Sequence, residues 1–326
     1  DHRELHSFPT RRSSDLEALG ESGLAKRWRE YAQRIAVGMI RKLAEGPAGA
    51  REWRVSPNSV YPSFQDSLVQ AWFAFYRDGL DPLAWDPTMT AYSRNTLKRQ
   101  LAQPYGHAPA LAMGYGMGWI TKAALLLDEL DDAGPLLANI AKYTWDKNMD
   151  YVDEARGVDW RLYQWIIPEG TNILPDGSWY RIGDLSNGAN QGAALHALEQ
   201  CAGVDDTNPA DLKLLPRVPE PLTGIEVNDF PMLIPEGEGL TQAKLTYTYS
   251  PAGGLKLTSD KPLPALSVRL GPFESREAAE LASTTWRLPR GVETSLVTSG
   301  HFHSQPAWWL WAKGLRYVKR VELGPR

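Results

Sequence analysis

The chain has 326 residues, room for two domains at roughly 100–200 residues each. An apolar fraction of 43% with a net charge of −4 excludes a disordered chain, and the lack of a basic stripe argues against a nucleic-acid partner. The apolar runs are too short and interrupted to span a bilayer, and a single cysteine, Cys201, excludes an internal disulfide.

Residues 1–16 read DHRELHSFPTRRSSDL, polar and basic with no apolar period. Back-translated, they resemble an in-frame short-read sequencing adapter, with Glu4 the one departure. The segment is therefore read as non-native and kept out of the fold argument. The natural N-terminus, with any signal peptide, is expected upstream.

Residues 17–208 carry helical patterns. Residues 23–45 space Leu24, Trp28, Tyr31, Ile35, Met39 and Leu43 at three to four. Residues 63–76 form a second pattern with Ser63 placed to cap it, and 90–103 a weaker one. Residues 108–130 follow, then 135–145 with Pro135 expected in the first turn, then 187–202 closed by Gly203. Long irregular segments lie between them, notably 146–186.

From residue 209 the period becomes two. Pro209, Pro216, Pro219 and Pro221 predict a stiff, extended connection. KLTYTY at 244–249 puts Leu245, Tyr247 and Tyr249 on one face. GLKLTSD, ALSVRLGPF and the segments 291–299 and 306–323 continue the pattern, with Gly, Pro and Asp between them. Regular short strands of this kind predict an antiparallel β-sandwich over 209–326.

The 13 Trp and 13 Tyr need an explanation, because each ring has a large apolar face and one polar handle. Core packing accounts for most; a cleft that stacks sugar rings is the other use. The densest stretch is WRLYQWIIPEGTNILPDGSWYRIGDLSNGANQ at 160–191. It mixes carboxylates, amides and aromatics on a segment punctuated by Gly and Pro. Cleaving a glycosidic bond takes one carboxylic acid to protonate the leaving oxygen and one carboxylate as base or nucleophile. Glu169, between Pro168 and Gly170 and near Trp165, is the first candidate. Asp184 is the second, with N-terminal helix capping as its structural alternative. Asp66, which shares a helical face with Gln70, is the third. Their sequence spacing says nothing of their distance in space. Trp165, Trp179, Tyr180, Arg181, Asn187, Asn190 and Gln191 are candidate sugar contacts, as are Tyr105 and His107 from QPYGHAPALAMGYGMGW at 103–119.

The segments WIIPEG and GDLSNGANQGAALHALEQ, with the Pro-rich link LKLLPRVPEPLTGIEVNDFP, resemble the six-hairpin, or (α/α)6-barrel, glycosidases. The resemblance spans about residues 61–231 and implies a toroid of helical hairpins followed by the β-domain. A closed ring needs more helices than are read here, so residues 17–208 are expected to be the N-terminally truncated part of such a barrel.

No His-Glu-x-x-His, paired-Cys, dinucleotide or Gly-x-Ser-x-Gly pattern occurs, so no cofactor is called for. His301 and His303 lie two apart on a candidate strand, but no third metal ligand is evident. The function expected is a glycoside hydrolase acting on an oligo- or polysaccharide. The alternatives are a polysaccharide lyase, with Tyr105 and His107 moving protons and Asn187 or Arg181 neutralising a uronate, and a non-catalytic sugar-binding module.

Overall fold

Helix α1 (Ser22–Leu43) follows the apolar period read from the sequence, and its last turns, Met39, Ile40 and Leu43, pack on Trp53 and Met89. The computed structural model describes residues 16, 20–54, 58, 79–102, 114–145, 152–154, 157–159, 170–173, 179–182, 188–237 and 239–326. The helix predicted over 63–76 lies outside them. Leu16, at the edge of the adapter-like segment, accepts a hydrogen bond from the Glu21 amide at 2.7 Å. A two-residue strand pair, β1 (Ala44–Glu45) with β2 (Glu52–Trp53), turns the chain back. There Trp53 is fully buried, and its indole N–H donates to Ser93 Oγ at 2.9 Å.

Helix α2 (Pro87–Leu101) starts three residues before the apolar pattern does. The Asp86 carboxylate accepts from the Thr88 and Met89 amides, and Pro87 occupies the first position, where no N–H is needed. Helices α3 (Gly114–Leu126), α4 (Leu130–Trp145) and α5 (Gly188–Ala202) complete the helical core. Helix α4 begins five residues before the expected start, so Pro135 sits in the second turn rather than the first. Asp131 and Asp132 in its first turn complement the helix dipole.

The toroid expected from the resemblance is not what these helices form. Ala123, Ala124, Leu125, Leu126 and Leu127 are buried without a break. A run buried on every side needs partners all round it. Here α2, α4, α5 and Trp85 supply them in one cluster. A ring of hairpins would instead leave each helix a lumen side and an outer side. Among the described residues there are six helices, no ring, and a large mixed sheet.

Further corrections concern the β-region. It is one seven-stranded sheet, not a two-sheet sandwich. Its main order is β12 (Glu293–Phe302), β13 (Gln305–Leu323), β11 (Gly254–Phe273), β10 (Gly239–Ser250), β9 (Ile225–Glu236). Strand β8 (Leu212–Leu214) joins β11 in parallel and pairs with β7 (Val204–Asp205), so the sheet is mixed. The two segments predicted around Pro262 and Pro264 fuse into the single strand β11. Pro262 falls in the register break between Thr258 and Leu263, whereas Pro264 stands just beyond it, between the paired residues Leu263 and Ala265. Helix α6 (Arg276–Thr285), capped by Ser275, covers part of the sheet and was not foreseen.

The alternation in β10 reads directly as burial: Leu245, Tyr247 and Tyr249 are at most 2% exposed. Tyr247 donates its O–H to the Ala202 carbonyl; the Tyr249 hydroxyl donates to the Gly271 carbonyl and accepts from its amide. The link between helices and sheet is packed rather than extended through solvent. Leu214 to Pro219 are buried, and the Leu215 and Arg217 amides donate to the Gly203 and Cys201 carbonyls. Gly203 has φ +66°, and a Cβ there would come 1.9 Å from the Leu215 carbonyl oxygen, so that close approach requires glycine.

Candidate functional site

Two places in the molecule gather polar chemistry. The first is the aromatic stretch. Its described part is a short antiparallel ribbon, β5 (Gly170–Ile173) with β6 (Trp179–Ile182). The backbone register pairs Gly170 with Ile182, Thr171 with Arg181, Asn172 with Tyr180 and Ile173 with Trp179. Of the residues singled out from the sequence, Trp179, Tyr180 and Arg181 stand in β6, and Asn190 and Gln191 open α5. Glu169, Asp184, Asp66, Trp165, Tyr105, His107 and Asn187 lie outside the described residues. The register nonetheless adds what spacing alone cannot. In sequence, Glu169 is the residue before Gly170, and Asp184 is the second after Ile182. Gly170 and Ile182 are direct cross-strand partners. A second ribbon, β3 (Val152–Asp153) with β4 (Val158–Asp159), precedes this one.

The second place is the junction of helices and sheet, which the sequence reading missed. Its centre is Asp128, fully buried after α3 with φ +59°. Asp128 Oδ1 accepts from Arg217 Nε at 2.9 Å and from an Arg269 terminal nitrogen at 2.6 Å. Oδ2 accepts from the other Arg269 terminal nitrogen at 2.8 Å. Arg217 also donates to the Leu80 carbonyl at 2.7 Å, and the Arg269 guanidinium lies 4.1 Å over the Trp309 ring. Burial pushes the Asp128 carboxyl up, but the positive charges of Arg269 and Arg217 outweigh it and hold the carboxyl below its ordinary value. All three side chains are fully buried, so the triad joins elements and has no access to substrate.

The rest of the Asp-Glu-Leu-Asp run at 128–131 docks on the tip of the β12–β13 hairpin. The Asp128 carbonyl accepts from the His301 amide at 3.0 Å. Gly300 allows this approach, since a Cβ there would lie 1.8 Å from that carbonyl oxygen. Glu129 meets His301 Nδ1 at 2.6 Å and pairs with Arg94 at 2.7 Å. Leu130 packs with Ala307 and Trp309. Asp131 accepts from the His303 and Ser304 amides at 2.7 and 2.8 Å. The two histidines are therefore not a metal pair: His301 lies on β12, whereas His303 occupies the turn with φ +52°. Among the described residues no group of His, Cys, Asp or Glu is arranged to hold a metal ion. Cys201 is buried, and desolvation pushes its thiol up to about 12, far from a reactive thiolate.

Among the described residues no helix is long and apolar enough to cross a membrane. No protein-family model, no curated protein and no solved structure matches the chain.

Proposed function

We propose that the chain is a carbohydrate-active hydrolase whose carboxylate pair is Glu169 and Asp184. The observation that supports this reading is the Gly170–Ile182 register. Direct antiparallel partners have Cα atoms about 4.5–5.5 Å apart, and each peptide unit adds at most about 3.8 Å. One unit to Glu169 and two to Asp184 therefore cap their Cα separation at about 17 Å. That span allows the carboxyl separations of roughly 5–9.5 Å that retaining and inverting glycosidases use. The same ribbon carries Trp179, Tyr180, Arg181 and Asn172, residue types that stack on sugar rings and bond their hydroxyls. Trp165 and the α5 residues Asn190 and Gln191 extend this set along the sequence. The residue pattern shared with the six-hairpin glycosidases supports the chemistry; the ring of hairpins is no part of the reading.

In this mechanism Glu169 is the general acid. That role requires its carboxyl to be held protonated until it gives the proton to the leaving glycosidic oxygen. Asp184 is the carboxylate that activates water or attacks the anomeric carbon. A panel of aryl glycosides tests this: release of the aryl alcohol by the wild type and its loss in Glu169→Gln and Asp184→Asn is the expected result. A product with a new ultraviolet-absorbing C=C would assign a lyase instead. Saccharide binding with no turnover would assign a binding module.

A further inference from the structure

The tip of the β12–β13 hairpin is a two-residue turn, His303–Ser304, with both φ values positive, closed by the Phe302–Gln305 pair. The turn aims His303 between two carboxylates from separate parts of the chain. Nε2 lies 2.9 Å from Glu220, in the link that leads into β9. Nδ1 lies 3.0 Å from Glu274, at the entrance to α6. A third carboxylate, Asp131 of α4, holds the backbone amides of the turn. On the hairpin itself, the neighbouring His301 is engaged by Glu129.

A neutral imidazole has one N–H and one lone pair. It can donate to one of these carboxylates and must turn its lone pair on the other. Only the imidazolium donates to both. His301 differs, because its single carboxylate contact at Nδ1 can be met by the neutral ring. Beside the turn lies a cleft of about 500 Å³, bounded on the α4 side by Asp131 and Pro135, and on the other by Glu220, Phe302 and Ser304. The Phe302 ring stacks on His303 with centroids 4.0 Å apart. The wall of the cleft and the histidine are thus one mechanical unit.

We propose that His303 is a proton-operated clasp that fixes the wall of this cleft. As imidazolium it ties the hairpin tip to Glu220 and Glu274. Without its proton one carboxylate loses its donor, Glu220 and Glu274 repel across the gap, and the tip loosens from the link. The hydrogen bond to Glu220, opposed by desolvation and reinforced by Glu274, raises the His303 pKa above its ordinary value of 6.5. The sign follows: stabilisation is complete below the unfolded-state value and is lost as pH rises through the folded-state one. The clasp rests on no assumption about glycoside chemistry.

The test is an NMR titration of the His303 ring in the full chain, with hydrogen exchange of the 303 and 304 amides measured on either side of the midpoint. The expected midpoint lies above about 6.5. Protection of the two amides, corrected for intrinsic exchange, falls several-fold as the ring deprotonates. His303→Asn keeps a residue that tolerates positive φ but cannot titrate, so protection becomes independent of pH. Glu220→Gln, at an exposed carboxylate, lowers the midpoint in a chain that keeps its fold. A wild-type midpoint at or below about 6.5, or an unchanged midpoint in Glu220→Gln, overturns the clasp. So does the wild-type pH dependence of protection persisting in His303→Asn.

Discussion

The sheet and the β5–β6 ribbon are built on opposite principles. In the central strand β10 alternate residues are apolar or aromatic and buried, and several polar groups inside the sheet have clear partners. Tyr247 and Tyr249 each place a hydroxyl on a backbone carbonyl, and Trp309 donates its indole N–H to the Ser299 carbonyl at 3.0 Å. The ribbon sequences, Gly-Thr-Asn-Ile and Trp-Tyr-Arg-Ile, have no such alternation. An isolated two-stranded ribbon is at best marginally stable by itself. On the reading proposed above, the polar and aromatic residues of the ribbon serve binding, and the contrast separates them from the residues that hold the sheet.

The largest effect on stability is expected at the junction. Asp128→Asn keeps the shape but removes the carboxylate that pairs the buried Arg217 and Arg269, and should cost about 3–5 kcal/mol in urea unfolding. A loss below about 1 kcal/mol would show that the triad does not hold the helices to the sheet. The same site predicts a pH window. The folded Asp128 carboxyl lies below its ordinary value, so its contribution is present above the unfolded value of about 3.9 and is lost as pH falls through the folded one. The steep loss of stability in acid should be shallower in Asp128→Asn.

A smaller effect is expected within the sheet core. Tyr247→Phe removes one buried hydrogen bond to the Ala202 carbonyl and should cost about 1–2 kcal/mol by the same measurement. No measurable change would mean that water takes the place of the hydroxyl. The smallest effect is at the front. Deleting residues 1–15 should leave stability within about 0.5 kcal/mol, whereas a fall of several degrees in Tm would make that segment part of the fold.

These contrasts also explain what could be read from the sequence. Strand β10 was legible because one face is buried and one is not, so alternation maps onto burial. Helix α1 was legible from its three-to-four spacing, although Leu24, Tyr31 and Ile35 of that stripe are exposed and only its last turns pack. Strand β11 was misread because Pro262 and Pro264 look like breaks, and only the register shows the strand running on past them, with Pro262 in an irregularity of the ladder. The start of α4 was misread because Pro135 fits a first turn, while Asp131 and Asp132 give the true one. The ring of hairpins was inferred from likeness of segments, and the unbroken burial of residues 123–127 overrides it. The Asp128 triad left no local trace at all. Its partners stand 89 and 141 residues away, and each is an ordinary Arg in an ordinary context. In the aromatic stretch the composition was legible, but the pairing of Gly170 with Ile182 was not, since it depends on a four-residue register.

Turnover of an aryl glycoside by the wild type and by Glu169→Gln is the most direct test of the carboxylate pair. The variant keeps the side-chain shape and removes its ionisation. General acid–base catalysis contributes about 10²–10⁴-fold, so kcat should fall by that factor while unfolding in urea stays unchanged. Rates in Glu169→Gln close to those of the wild type would contradict the assignment and remove Glu169 from the mechanism.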